Sequence, residues 1–116
     1  MVDIEAIKDE IIERLKPLNP DKVILFGSYA YGTPTDESDI DLFLVKDDLR
    51  DDEFDEYDIE AKMRLLSIME KYKTNGIDIV SCTSSLLYAR EDYFYKIDIL
   101  QNGRVLYERN SSKRLA

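Results

Sequence analysis

The stretch Gly27-Ser28-Tyr29-Ala30-Tyr31-Gly32, followed by Ser38-Asp39-Ile40-Asp41-Leu42-Phe43-Leu44-Val45, decides how this chain is read. Just upstream, Lys22-Val23-Ile24-Leu25-Phe26 is a short apolar run stopped by Gly27, the pattern of a buried strand. Ile40 to Val45 is a second such run, and two acids one residue apart stand at its start. Alternate side chains on a strand share a face, so Asp39 and Asp41 point one way while Ile40, Leu42 and Leu44 point into a core. Two neighbouring carboxylates repel unless a cation sits between them. Magnesium suits such a pair, because it takes hard oxygen ligands from carboxylates and from substrate phosphates. Gly27 lets the backbone approach a phosphate, N–H groups at a turn or helix start bind anions, and the Ser28 hydroxyl adds a donor. A Gly-Ser pair alone marks many turns. Its weight here lies in the ten residues that separate Ser28 from Asp39.

A two-metal phosphoryl-transfer site holds its ions about 4 Å apart and commonly needs a third carboxylate. Asp78 is the candidate, the lone charge in Gly76-Ile77-Asp78-Ile79-Val80. It lies near the start of a third strand, as Asp41 lies near the start of the second. A helical crossover between the two allows parallel pairing, which would bring the strand starts together. An edge-strand residue facing water is the alternative for Asp78.

The rest of the chain frames these elements. Ile4, Ile7, Ile11 and Leu15 predict an amphipathic helix ending near Pro17 and Pro20. Nine of the fifteen residues from Lys46 to Glu60 are acidic; a solvated loop with the first turn of a helix accounts for them, and a docking surface for a basic partner is the alternative. Phe54, Tyr57, Ala61, Leu65, Ile68, Met69 and Tyr72 continue as a core-facing helical stripe, broken at Asn75-Gly76. Ser84 and Ser85 can cap a helix running towards Leu100, and Arg104 to Tyr107 reads as a short edge strand. Tyr29 and Tyr31 read as packing against the first helix. The order helix, strand, strand, helix, strand, helix, strand predicts an α/β (α+β) domain over residues 1–110, a mixed three- to four-stranded sheet with helices packed on it. Residues 111–116 read as a frayed tail.

Composition narrows the chemistry. The 116 residues make one domain. A net charge of −9 argues against direct nucleic-acid binding and makes bound metal or a basic partner the means of offsetting an anionic substrate. With no histidine and a single cysteine, Cys82, His-based catalysis is excluded and a zinc site nearly so. No run approaches the length that spans a bilayer, the N-terminus is unlike a signal peptide, and the lone cysteine fits a reducing compartment, so a cytoplasmic location is expected.

Gly-Ser, ten residues, then Asp-x-Asp resembles the signature of the DNA polymerase-beta-like nucleotidyltransferases, and GSYAYGTPTDESDIDLFLV is similar to the minimal members of bacteria and archaea. The resemblance covers about residues 23–80, with a further likeness at 102–109. It implies a polymerase-beta palm-like fold in which Gly27 and Ser28 hold triphosphate, Asp39 and Asp41 act catalytically and bind metal, and Asp78 completes the triad. It implies ATP as substrate and two Mg2+ ions. Many members carry Arg or Lys where this chain has Tyr31, which would help hold phosphate. Short members commonly stand as antitoxins beside a HEPN-class ribonuclease toxin, and the resemblance implies transfer of AMP to a toxin tyrosine. Other readings are a small-molecule acceptor such as an aminoglycoside, a non-catalytic toxin binder, and a sugar-nucleotide enzyme using a lone Asp-x-Asp, which the short chain and the Gly-Ser pair disfavour. A domain this small has little left with which to build its own acceptor pocket.

Overall fold

A computed structural model describes residues 3–109, so the expected tail at 111–116 lies outside the described residues. The order is α1 (Ile4–Leu15), β1 (Lys22–Phe26), α2 (Ser28–Tyr31), β2 (Ile40–Val45), α3 (Phe54–Arg64), α4 (Leu66–Tyr72), β3 (Ile77–Cys82), α5 (Ser84–Ala89), a π-helix at Phe94–Gln101, and β4 (Arg104–Glu108). The four strands form one mixed sheet in the order β3-β2-β1-β4. β1 runs antiparallel to β2 and β4, and β2 runs parallel to β3. This is the mixed α/β architecture expected from the element order.

Both faces of the central strands are covered, which explains why β1 and β2 read as continuous apolar runs. On one face Val23, Leu25, Ile40, Leu42 and Leu44 join Ile7, Ile11 and Leu15 of α1 and Ala61, Leu65 and Ile68 of α3–α4. On the other, Ile24, Phe43 and Val45 join Cys82, Leu87 and Ile99. Each fully buried Ile or Leu contributes about 1.5–3 kcal/mol of transfer free energy, so the predicted helical stripes are what fasten the sheet.

Three local expectations are corrected. The core stripe after Phe54 is carried by two helices meeting at Leu65, and α4 ends where Lys73 turns left-handed at φ 54°, just before Asn75-Gly76. The helix after β3 is capped by Thr83, whose side chain accepts from Leu86 N–H at 3.2 Å, rather than by Ser84 or Ser85. It stops at Arg90, which is extended, and the chain restarts as the π-helix. The restart brings Phe94 and Tyr95 against Phe43, with ring centroids 6.2 and 6.1 Å away, and this aromatic packing outweighs one continuous helix.

Asp21, 4% exposed, ties three strands together. Its N–H donates to the Val45 carbonyl at 2.6 Å, and its own carbonyl accepts from Arg109 N–H at 2.8 Å. Its carboxylate pairs with the Arg109 guanidinium and accepts from Asp47 N–H at 2.8 Å. Asp21→Ala would leave these donors without their acceptor and is expected to cost about 2–4 kcal/mol. Urea unfolding at neutral pH checks this, and an unchanged midpoint would refute it.

Candidate active site

Parallel pairing of β2 with β3 sets Asp41 directly opposite Asp78, and antiparallel pairing with β1 sets Asp41 opposite Phe26, the residue before Gly27. Thus the end of β1, the start of β2 and the start of β3 meet at one end of the sheet. Asp39 lies just before β2. Its Oδ1 accepts from Asn75 Nδ2 at 3.0 Å, and the same amide donates to the Glu37 carbonyl at 2.7 Å. Asn75 thereby holds the loop before β2 against the loop before β3.

Each acid of the pair lies against a glycine. A Cβ on Gly76 would stand 2.8 Å from Asp39 Oδ1, and one on Gly27 would collide with Asp41 Oδ2. Gly27 has φ 74° and ψ −158°, a conformation close to glycine-only. α2 then begins at Ser28, where backbone N–H groups lack intrahelical acceptors, with Ala30 and Tyr31 N–H returning to the Gly27 carbonyl at 2.9 and 3.1 Å. Gly27 is therefore both the pivot from strand to helix and the wall of the Asp41 carboxylate.

The electrostatics mark the cluster. Burial pushes the Asp41 carboxyl up to about 6, with the charges of Asp78 and Asp39 and a hydrogen bond with Asp78 adding to it. Among the described residues no three His, Cys, Asp or Glu side chains already close on one point. Even so, the donor set fits a divalent cation: all-oxygen, adjacent, mutually repelling, and in Asp41 half-buried. A bound ion would be held by Asp41 and Asp78 with Asp39 beside them, and would supply charge neutralisation and polarisation of a phosphate.

A cleft of about 530 Å³ opens beside Asp41 and Asp78, walled by Phe26, Val80 and Phe94 and rimmed by Asp58, Ile59 and Lys62 of α3. Burial raises the Asp58 carboxyl above the usual range, the Ser81 hydroxyl working against it and the Asp55 charge with it. The sequence reading missed Asp58, Lys62, Phe26 and Phe94 as cleft residues. The available signal was the i,i+4 spacing of Asp58 and Lys62, which puts one acid and one base on the same helical ridge. Tyr29 packs into the core cluster that contains α1. Tyr31 does not: it is exposed and its hydroxyl donates to Asp98 Oδ1 at 2.8 Å. That bond raises the Tyr31 pKa and ties α2 to the π-helix.

The family model described as "Polymerase beta, Nucleotidyltransferase" matches residues 9–112. Two proteins of Methanocaldococcus jannaschii, each named "Putative protein adenylyltransferase", are similar to the chain. One is 36% identical over 104 residues, covering 90% of both chains. The other is 34% identical over 86 residues, covering 70% of this chain and 80% of the relative. The fold is similar to that in the crystal structure of a toxin-antitoxin with AMP-PNP (TM-score 0.62, 22% identity, 93% of this chain and 78% of that one). It is likewise similar to that in a mutant of the toxin-antitoxin MntA-HpeT (TM-score 0.61, 20% identity, 93% and 78%). The Gly-Ser turn, the Asp-x-Asp strand and the parallel strand bearing Asp78 thus stand in a chain that belongs to the polymerase-beta nucleotidyltransferase family.

Proposed function

We propose that this chain is a protein adenylyltransferase acting as an antitoxin. It takes AMP from ATP, with magnesium, and transfers it to a tyrosine of a HEPN-type ribonuclease toxin. The observation that carries the reading is the juxtaposition of Asp41 with Asp78 beside the Gly27-Ser28 turn. The names of the archaeal relatives and the toxin-antitoxin neighbours support the acceptor being a protein.

In this mechanism Gly27 and Ser28 hold the triphosphate tail, which places the α-phosphate over Asp41. Asp39, Asp41 and Asp78 would hold magnesium, which would neutralise the phosphate charge and polarise the α-phosphate. The acceptor oxygen attacks the α-phosphorus in line. Its proton passes to Asp78, the new oxygen–phosphorus bond forms, and the bond to the bridging oxygen breaks to release pyrophosphate. The −9 charge suits a toxin that is basic enough to grip RNA.

The test is incubation with labelled ATP, magnesium and the protein encoded by the neighbouring gene. Label is expected on that protein, and its transfer is expected to vanish with Asp39→Ala combined with Asp41→Ala. Neutralisation of the toxin that survives the double variant would replace the reading with non-catalytic binding. Label appearing only on an aminoglycoside or other small molecule would replace it with a small-molecule acceptor.

A further inference from the structure

α3 and α4 have a second apolar stripe that the core does not use. Tyr57, Ala61, Leu65 and Ile68 face the sheet. Ile59, Met63 and Leu66, at i, i+4 and i+7, face outward and are 61%, 64% and 48% exposed. This stripe begins inside the candidate site. Ile59 lines the cleft that holds Asp41 and Asp78, and Met63 and Leu66 line a second groove of about 540 Å³ bounded by Glu13, Arg14 and Pro17 at the end of α1. An apolar path therefore runs from the carboxylates across the outer face of the helices.

We infer that this outer face of α3 and α4 is where the acceptor protein docks. The inference rests on the protein-adenylyltransferase reading and gives the acceptor a surface. A protein whose hydroxyl reaches Asp41 and Asp78 through the cleft passes Ile59 on its lining, and its body then covers Ile59 and what lies beyond it. Charge selects the partner further. α3 carries Asp55, Glu56, Asp58 and Glu60 against Lys62 and Arg64, and Arg64 is paired with Glu60 at 3.3 Å. The matching surface is an apolar ridge flanked by basic side chains, beside the hydroxyl to be modified. Apolar side chains seat the complex, and the acidic flank steers and orients it.

The experiment compares wild type, Met63→Glu with Leu66→Glu, and Val105→Glu as a control on β4, at the sheet edge opposite β3. All three positions are exposed, so the fold is expected to persist, checked by urea midpoint and by affinity for ATP with magnesium. With the neighbouring-gene product as acceptor, the double variant is expected to raise the acceptor KM at least about tenfold, with kcat and ATP affinity near wild type. Val105→Glu is expected to leave all three unchanged. Direct binding of that protein, measured by calorimetry, is scored separately. Binding by wild type that the double variant loses supports the docking face even if no label transfers, an outcome that sinks only the catalytic reading. Unchanged KM and binding in the double variant, equal loss in Val105→Glu, or no binding by wild type would overturn the docking face. A double variant altered only in self-association would assign the stripe to a second copy of this chain and overturn it too.

Discussion

Asp41→Asn is expected to lower nucleotidyl transfer by at least about a thousandfold and, at the same time, to stabilise the metal-free protein at pH 7.5. The two effects have one cause. The native fold raises the Asp41 carboxyl from its ordinary 3.8 to about 6, so the charged form is disfavoured by burial and by Asp78 and Asp39. A group raised in the folded state contributes stability that is full below its unfolded pKa and is lost as pH climbs through the folded one. Between about pH 4 and pH 6 in chelator, wild type should therefore lose stability relative to the amide variant. The full shift corresponds to about 3 kcal/mol, which solvent screening in an open cleft trims to about 1–2 kcal/mol. Urea unfolding at pH 4.5 and 7.5 in chelator measures the difference. Added magnesium or manganese should raise the wild-type Tm and leave the variant unmoved. A variant less stable than wild type at pH 7.5 would mean that the carboxylate holds the fold together rather than straining it.

Gly27→Ala is expected to damage fold and catalysis together. At φ 74° and ψ −158° a Cβ is strained wherever it points, and here it points into Asp41 Oδ2. Strain and overpacking together are expected to cost about 2–4 kcal/mol. Relief by turning Asp41 away would displace the carboxylate opposite Asp78, so the surviving folded protein should be nearly inactive. Gly32→Ala is the comparison. Gly32 has a similar φ of 78°, yet its Cβ would meet nothing within 4 Å. That variant should lose about 1 kcal/mol and keep its transfer activity. Equal losses in both variants would show that backbone strain, and not the closeness to Asp41, sets the requirement for glycine at 27.

The carboxylate cluster was legible in the sequence because strand periodicity is rigid. Asp41 and Asp78 each stand near the start of an apolar strand, and parallel register sets them side by side; Asp39 lies just before β2, where Asn75 holds it. The far wall of the cleft was not legible. Asp58 and Lys62 sit on a helix whose core stripe is plain, but the direction of its outer ridge relative to β3 is set by packing. The break at Arg90 was hidden for a related reason. Leu86 and Leu87 keep helical phase with Phe94 and Ile97, and only contacts of Phe94 with Phe26 and Phe43 show why the chain restarts there. Tyr31 was misplaced because an aromatic ring reads as core until a distant partner, Asp98, claims its hydroxyl.

The position of β4 has a consequence for how the molecule assembles. β1 is interior to the sheet, but one of its two neighbours is the last strand of the described chain, with Lys22 opposite Glu108. During synthesis every element through the π-helix can be made while that side of β1 still exposes an unpaired row of N–H and C=O groups. Such a row invites pairing with other chains, and contacts this distant in sequence form late. The clasp of Asp21 on Arg109 is then the closing step, which secures the strand only when the end of β4 arrives. A chain cut at Asn102 would keep Asp39, Asp41 and Asp78 yet present an open sheet edge, and is better suited to aggregate than to catalyse.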